Sequence, residues 1–132
     1  MNDLKARKMQ KADLGVVVSL LADDELGQSR EDKAKVVHID YLRAFEQIDS
    51  DVNQYAAIFE INGEPVGCLQ ITFIPGLSRR GSLRGQIEGV RVSRDFRGRG
   101  YGARMIAWAI KKCRDRGCNL YHGTFLLPKL SF

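Results

Sequence analysis

The sequence predicts an α+β domain, a mixed and mostly antiparallel sheet flanked by helices. Three observations predict it. Asn62-Gly63 stands between two alternating apolar runs, Tyr55 to Ile61 and Glu64 to Ile74. Both turn positions of such a two-residue hairpin want φ > 0, which Asn and Gly tolerate. A third run, Gln86 to Val92, ends in a glycine turn and opens a helix with an apolar stripe. Two helical stripes precede the hairpin: Leu14, Val17, Val18 and Leu21, then Tyr41, Leu42, Phe45 and Ile48. Strands in antiparallel succession, then a helix and one more strand, are the layer pattern of this class.

Length and composition bound the rest. The 132 residues suffice for one domain, 1–132, with a modest core. An apolar share of 44% and a charged share of 28% are ordinary for a globular chain. No apolar run approaches the ~20 residues of a membrane span. MNDLKARK has no apolar segment behind its charges, so no signal peptide is read and a cytoplasmic protein is expected. Cys68, Cys113 and Cys118 are odd in number and lack metal-ligand spacing, which fits free thiols in a reducing compartment.

The net charge is +5, and its location is informative. Residues 79–104 hold eight Arg against Glu88 and Asp95, giving 8 − 2 = +6 and leaving −1 for the rest. A ligand with several phosphates suits that segment. Nucleic acid is the rival, but Phe96 and Tyr101 do not form a stacking row.

Along the chain, Leu4 to Gln10 reads as a strand. Asp13 is the expected N-cap of a helix from Leu14 to about Asp24, with Asp23, Asp24 and Glu25 as its solvated end. Gly27 to Lys35 is polar and reads as a loop. Asp40 is the expected cap of the second helix. Pro75 and Gly76 end the hairpin's return strand, and Leu77 to Leu83 reads as an Arg-rich loop. The helix after the glycine turn should run from about Tyr101 to Arg116, with Met105, Ile106, Ala109, Ile110 and Cys113 inside and Gly117 closing it. Asn119 to Leu127 should be the next strand. His38 and His122 stand alone, and neither is assigned chemistry.

The turn itself, Arg97-Gly98-Arg99-Gly100-Tyr101-Gly102-Ala103, concentrates the chemistry. Residues without Cβ let several backbone N–H groups approach one anion. The following helix adds its unpaired N-terminal amides and the positive end of its dipole. A phosphate or pyrophosphate cradle follows. The P-loop pattern fails, because no Lys-Ser or Lys-Thr follows the glycines. Gly98, Gly100 and Ala103 match the dinucleotide fingerprint, with Asp115 near the offset of its ribose-binding acid. That fold, however, needs more strands behind the motif than the residues from Asn119 onward can supply.

A third pattern, R/Q-x-x-G-x-G/A, is filled by Arg97, Gly100 and Gly102. It follows a strand of the form I-E-x-V-x-V, made of Ile87, Glu88, Val90 and Val92. Strand, turn and helix together resemble the coenzyme A signature of the GNAT superfamily, the GCN5-related N-acetyltransferases. The resemblance covers Leu4 to about Leu120. It implies an acetyl-CoA-dependent N-acetyltransferase acting on a small-molecule or peptide primary amine, and a GNAT-like sheet. The amides of Arg97, Gly98, Arg99, Gly100, Tyr101, Gly102 and Ala103 would hold the pyrophosphate. The backbone of Val90, Arg91 and Val92 would pair with the pantetheine arm, and the strand should bulge and splay there. The Val92 N–H would polarise the thioester carbonyl. Glu88, the organising strand's one carboxylate, would serve as base, unless it is a structural partner of Arg84 or Arg91. A second reading keeps coenzyme A binding without turnover.

From about Tyr121 the chain departs from the family pattern. The expectation is a shortened domain lacking the last helix and strands. Leu120, Phe125, Leu126, Leu127, Leu130 and Phe132 would then line an open apolar edge, which predicts a homodimer or larger assembly.

Overall fold

The computed structural model describes residues 3–23 and 37–123. Five strands form one sheet in chain order: β1 (Leu4–Lys8), β2 (Gln54–Ile61), β3 (Glu64–Pro75), β4 (Leu83–Val92) and β5 (Leu120–Gly123). β1 to β4 pair antiparallel, and β5 runs parallel to β4. The mixed, mostly antiparallel sheet is therefore as predicted. Helices α1 (Leu14–Ala22) and α2 (Ile39–Ser50) cover one face, and α3 (Tyr101–Arg116) covers the other. The predicted loop from Gly27 to Lys35, the strand beyond Gly123 and the apolar C-terminal edge lie outside the described residues.

Alternation along β2 explains the two layers. Ala57 and Phe59 pack toward α3 with Leu69, Ile71, Met105 and Ala109. Ala56 and Ile58 pack toward α1 and α2 with Leu14, Val17 and Phe45. The strand is thus buried on both faces, which is why it reads as apolar throughout. Asn62 and Gly63 turn the hairpin at φ 52° and 79°.

α3 has the predicted bounds, and Met105, Ala109 and Cys113 are wholly buried. Trp108 lies off the predicted stripe yet joins this layer. Its ring sits edge-on to Phe59 at 5.3 Å and tilted on Tyr55 at 5.7 Å. Lys112 lays its ammonium 4.7 Å from the Tyr55 ring centre. The helix ends on Gly117 at φ 97°, and the Cys118 N–H donates back to the Cys113 carbonyl at 2.9 Å. Close packing of α3 depends on missing side chains below it. A Cβ on Gly67 would stand 2.8 Å from both the Arg91 carbonyl oxygen and the Met105 sulfur, and one on Gly85 would collide with Cys113.

Both predicted caps need correction. Asp13 stands at the N-cap position of α1, but its carboxylate accepts no cap bond from that helix, because a 3-10 turn (Lys11–Asp13) precedes it. Its carboxylate instead accepts the Gln10 N–H at 2.7 Å and both terminal nitrogens of Arg7 at 2.8 Å. Arg7 also reaches Glu60 at 3.2 Å. The hydrogen-bonded Arg7 guanidinium holds the Asp13 carboxyl below the usual carboxylate range. α2 is capped by His38, not Asp40: the His38 Nδ1 accepts the Asp40 N–H at 3.1 Å. An imidazole nitrogen two positions earlier reaches the orphan amides instead.

Two predictions follow from this packing. Asp13→Asn should lower stability at pH 7 by about 1.5–3 kcal/mol, the range for hydrogen bonds to charged groups. Because the folded pKa is depressed, that contribution is complete above the ordinary carboxylate range. It is lost as pH falls through the folded value, so urea curves of the two proteins should converge in acid. Gly67→Ala should cost about 1–3 kcal/mol by overpacking, read in the same unfolding experiment.

Candidate functional site

The site begins at the C-terminal half of β4, past its described pairing with β5. That pairing runs from Arg84↔Leu120 to Ile87↔Gly123. On its other side, β4 changes register against β3 between Gln70↔Glu88 and Cys68↔Arg91. Leu69 alone thus opposes two residues, Gly89 and Val90. Gly89 is left-handed at φ 64°, the signature of a glycine bulge. The strand bulges as the family resemblance implied.

The bulge sorts side chains between faces. Gly85 and Ile87 lie on the α3 face, so Arg84, Gln86 and Glu88 point to the other. One extra residue restores Val90 and Val92 to the α3 core. Glu88 is half-buried and projects on the α1–α2 face. The ion pairs found among the described residues include none from Glu88 to Arg84 or Arg91.

Backbone direction at the end of β4 follows from one bond. The Ser93 N–H donates to the Val66 carbonyl at 2.7 Å. Antiparallel alternation then turns the N–H and C=O of Val92 away from β3. The Val92 carbonyl accepts from Arg97 Nε at 3.0 Å, and the Val90 carbonyl accepts from Arg91 at 2.9 Å.

The glycine turn follows a 3-10 turn, Arg94–Phe96. Gly98 and Gly100 are left-handed at φ 75° and 83°, and a Cβ on either would meet nothing within 4 Å. The bend therefore faces open space. The Arg104 N–H donates to the Gly100 carbonyl at 3.2 Å and is the first amide paired within α3. Tyr101, Gly102 and Ala103 hold the helix's orphan amides beside the dipole's positive end. The Arg97 amide, by contrast, is used inside the turn by the Arg94 carbonyl at 3.4 Å. Phe96 and Tyr101 pair edge to face at 6.1 Å, with Arg99 over the first ring and Arg104 over the second.

Asp23 is not a solvated helix end, which corrects the sequence expectation. It receives Arg94 and Arg97 in ion pairs, and Arg97 also donates to its carbonyl at 3.2 Å. The end of α1 is thereby tied to the turn before α3. Asp115, near the ribose offset of the rejected dinucleotide pattern, pairs with Lys111 at 2.9 Å in the last turn of α3, far from the glycines. No cluster of three or more metal-ligating side chains is found among the described residues, and no described helix is long and apolar enough to cross a membrane.

A glycine bulge inside β4 and an open amide turn at the N-terminus of α3 form an arrangement that suits acyl-group transfer. The family model for the acetyltransferase (GNAT) family matches residues 19–125, and the chain belongs to that family. A solved protein from Bacillus halodurans C-125, described as a transcriptional regulator, is 38% identical with TM-score 0.90, covering 96% of this chain and 85% of that one. Glucosamine-6-phosphate N-acetyltransferase from Arabidopsis thaliana is 23% identical with TM-score 0.75, covering 95% and 84%. A predicted acetyltransferase from Clostridium acetobutylicum, solved with acetyl-CoA, is 17% identical with TM-score 0.72, covering 95% and 82%. No match was found among curated proteins.

Asp23→Asn should loosen the turn without unfolding the sheet. Amide exchange at residues 98–103 should quicken by about tenfold while β2 keeps its protection. Unchanged exchange at the turn would show that the clamp does not hold it.

Proposed function

We propose that the chain is an acetyl-CoA-dependent N-acetyltransferase for a primary amine. The glycine turn carries this reading: left-handed Gly98 and Gly100 face open space, and Tyr101, Gly102 and Ala103 bring the orphan amides of α3 to the same bend. When bound, acetyl-CoA supplies the acyl group as a thioester. The residues present fit it. The amides of Gly98 to Ala103 offer an open set of donors for a pyrophosphate, with Arg99 and Arg104 beside them. Arg97 braces that turn through its side chain. The Val92 N–H, turned away from β3, is available for pairing with an extended arm, as a strand would pair.

Transfer requires the amine nitrogen to form a bond to the carbonyl carbon while the carbon–sulfur bond breaks. The amine must be neutral and must lose a proton. Glu88, across the bulge from Val90, takes that proton through a water. The Val92 N–H donates to the carbonyl oxygen as negative charge builds there. The proton returned to the departing sulfur has no assigned donor on this chain.

A thermal melt with and without coenzyme A tests the first half. Binding to the folded state alone raises stability by ~2.7 kcal/mol at a hundredfold excess over Kd. Thiol release with a panel of amines tests the second. Glu88→Gln should keep the coenzyme A shift and lose about 100-fold in kcat/KM. A shift without thiol release from any amine would favour a binding module without turnover. Unchanged turnover by Glu88→Gln across pH would remove this carboxylate from the mechanism.

A further inference from the structure

The connection between β3 and β4 is built for something other than turning the chain. Gly76, Ser78, Arg79, Ser82 and Arg84 line a cavity of about 360 Å³. Ser82 is 6% exposed, and its hydroxyl has no hydrogen-bond partner. A buried hydroxyl left unpaired is costly, so its occurrence calls for a ligand. Arg79 and Arg84 line the same cavity and make no ion pair among the described residues.

The backbone there is strained. Arg79 (φ 54°, ψ 41°) and Arg80 (φ 63°, ψ 42°) are left-handed, and Gly81 follows at φ 75°. Bonds from Gly81 to Leu77 at 3.0 Å and from Ser82 to Ser78 at 3.2 Å close this left-handed turn. Two consecutive arginines in that conformation are unfavourable, and such strain gathers at ligand clamps.

The cavity is aligned with the proposed reaction site. Arg84, Gln86 and Glu88 share one face of β4, and four residues of strand separate Arg84 from Glu88 by roughly 13 Å. The ground between them is polar. Gln70 and Thr72, register partners of Glu88 and Gln86, both donate to Gln54 Oε1 at 2.9 and 3.0 Å.

We infer that this cavity is a second anion site and takes the phosphate-bearing end of the amine acceptor whose amine lies at Glu88. The inference rests on the acetyltransfer reading for the acceptor's identity. Two guanidinium forks and one hydroxyl offer more donors than the two oxygens of a carboxylate can accept, whereas a phosphate monoester has three terminal oxygens and a matching charge.

The test compares wild type with Arg79→Gln/Arg84→Gln, both exposed positions. Melts are run with saturating coenzyme A, which occupies the glycine turn, in inorganic phosphate and in chloride at equal ionic strength. Phosphate should stabilise the wild type, with apparent affinity roughly tenfold weaker in the double variant. Paired amines of equal length, ending in phosphate, carboxylate or hydroxyl, are then compared. The phosphate member should show a KM lower by about tenfold in wild type only, with kcat within about threefold in the variant. An equal phosphate response in both proteins overturns the anion site, and equal KM values overturn its role for the acceptor. Should coenzyme A itself bind nowhere, the acetyltransfer reading falls, and the phosphate melts of the two proteins still decide the anion site.

Discussion

A single additional residue in β4, opposite Leu69, sets the geometry on which the rest depends. Were the strand to run through Gly89 in regular alternation, Glu88, Val90 and Val92 would share a face, and burying the valines against α3 would bury the carboxylate with them. Gly89 supplies the left-handed φ that lets the strand absorb that residue. The carboxylate then stands on one side of the sheet and the valines on the other. The same irregularity lies just beyond the last described pairing with β5.

What holds the bend against the sheet is a set of charges drawn from distant parts of the chain. Arg97 spans the Val92 carbonyl and Asp23, and Arg94 reaches the same carboxylate. Bonds from a side chain to the end of a strand and the end of a helix fix the turn between them. Such partly buried, multiply bonded arginines are better anchors than exposed pairs. Of the arginines that give this segment its charge, some brace the turn and others remain available to a ligand.

Much of this was legible in the sequence where the signal is local. Asn62-Gly63 specifies its hairpin by φ alone, and α3 carries both a complete stripe and a glycine stop, so its bounds were recovered. Failures came where partners are remote or the competing groups are equivalent. Asp23 meets residues more than 70 positions away, which no periodicity encodes. Asp13 and Asp40 are good caps by type, but a 3-10 turn and a neighbouring imidazole took their places. The bulge had a trace in the sequence, since a glycine interrupts an alternating strand where a carboxylate and two valines fall in phase. The strained arginine turn had none, because Arg carries no preference for left-handed backbone.

The buried cysteines bear on a hazard inherent to handling activated thioesters. Cys68 lies 3.6 Å from the Gly89 carbonyl, beside the bulge itself. Burial pushes its thiol up to about 12 and that of Cys113 up to about 11. A protonated, enclosed sulfur is a poor nucleophile. In the proposed reaction such a sulfur would not compete with the amine for the acyl group.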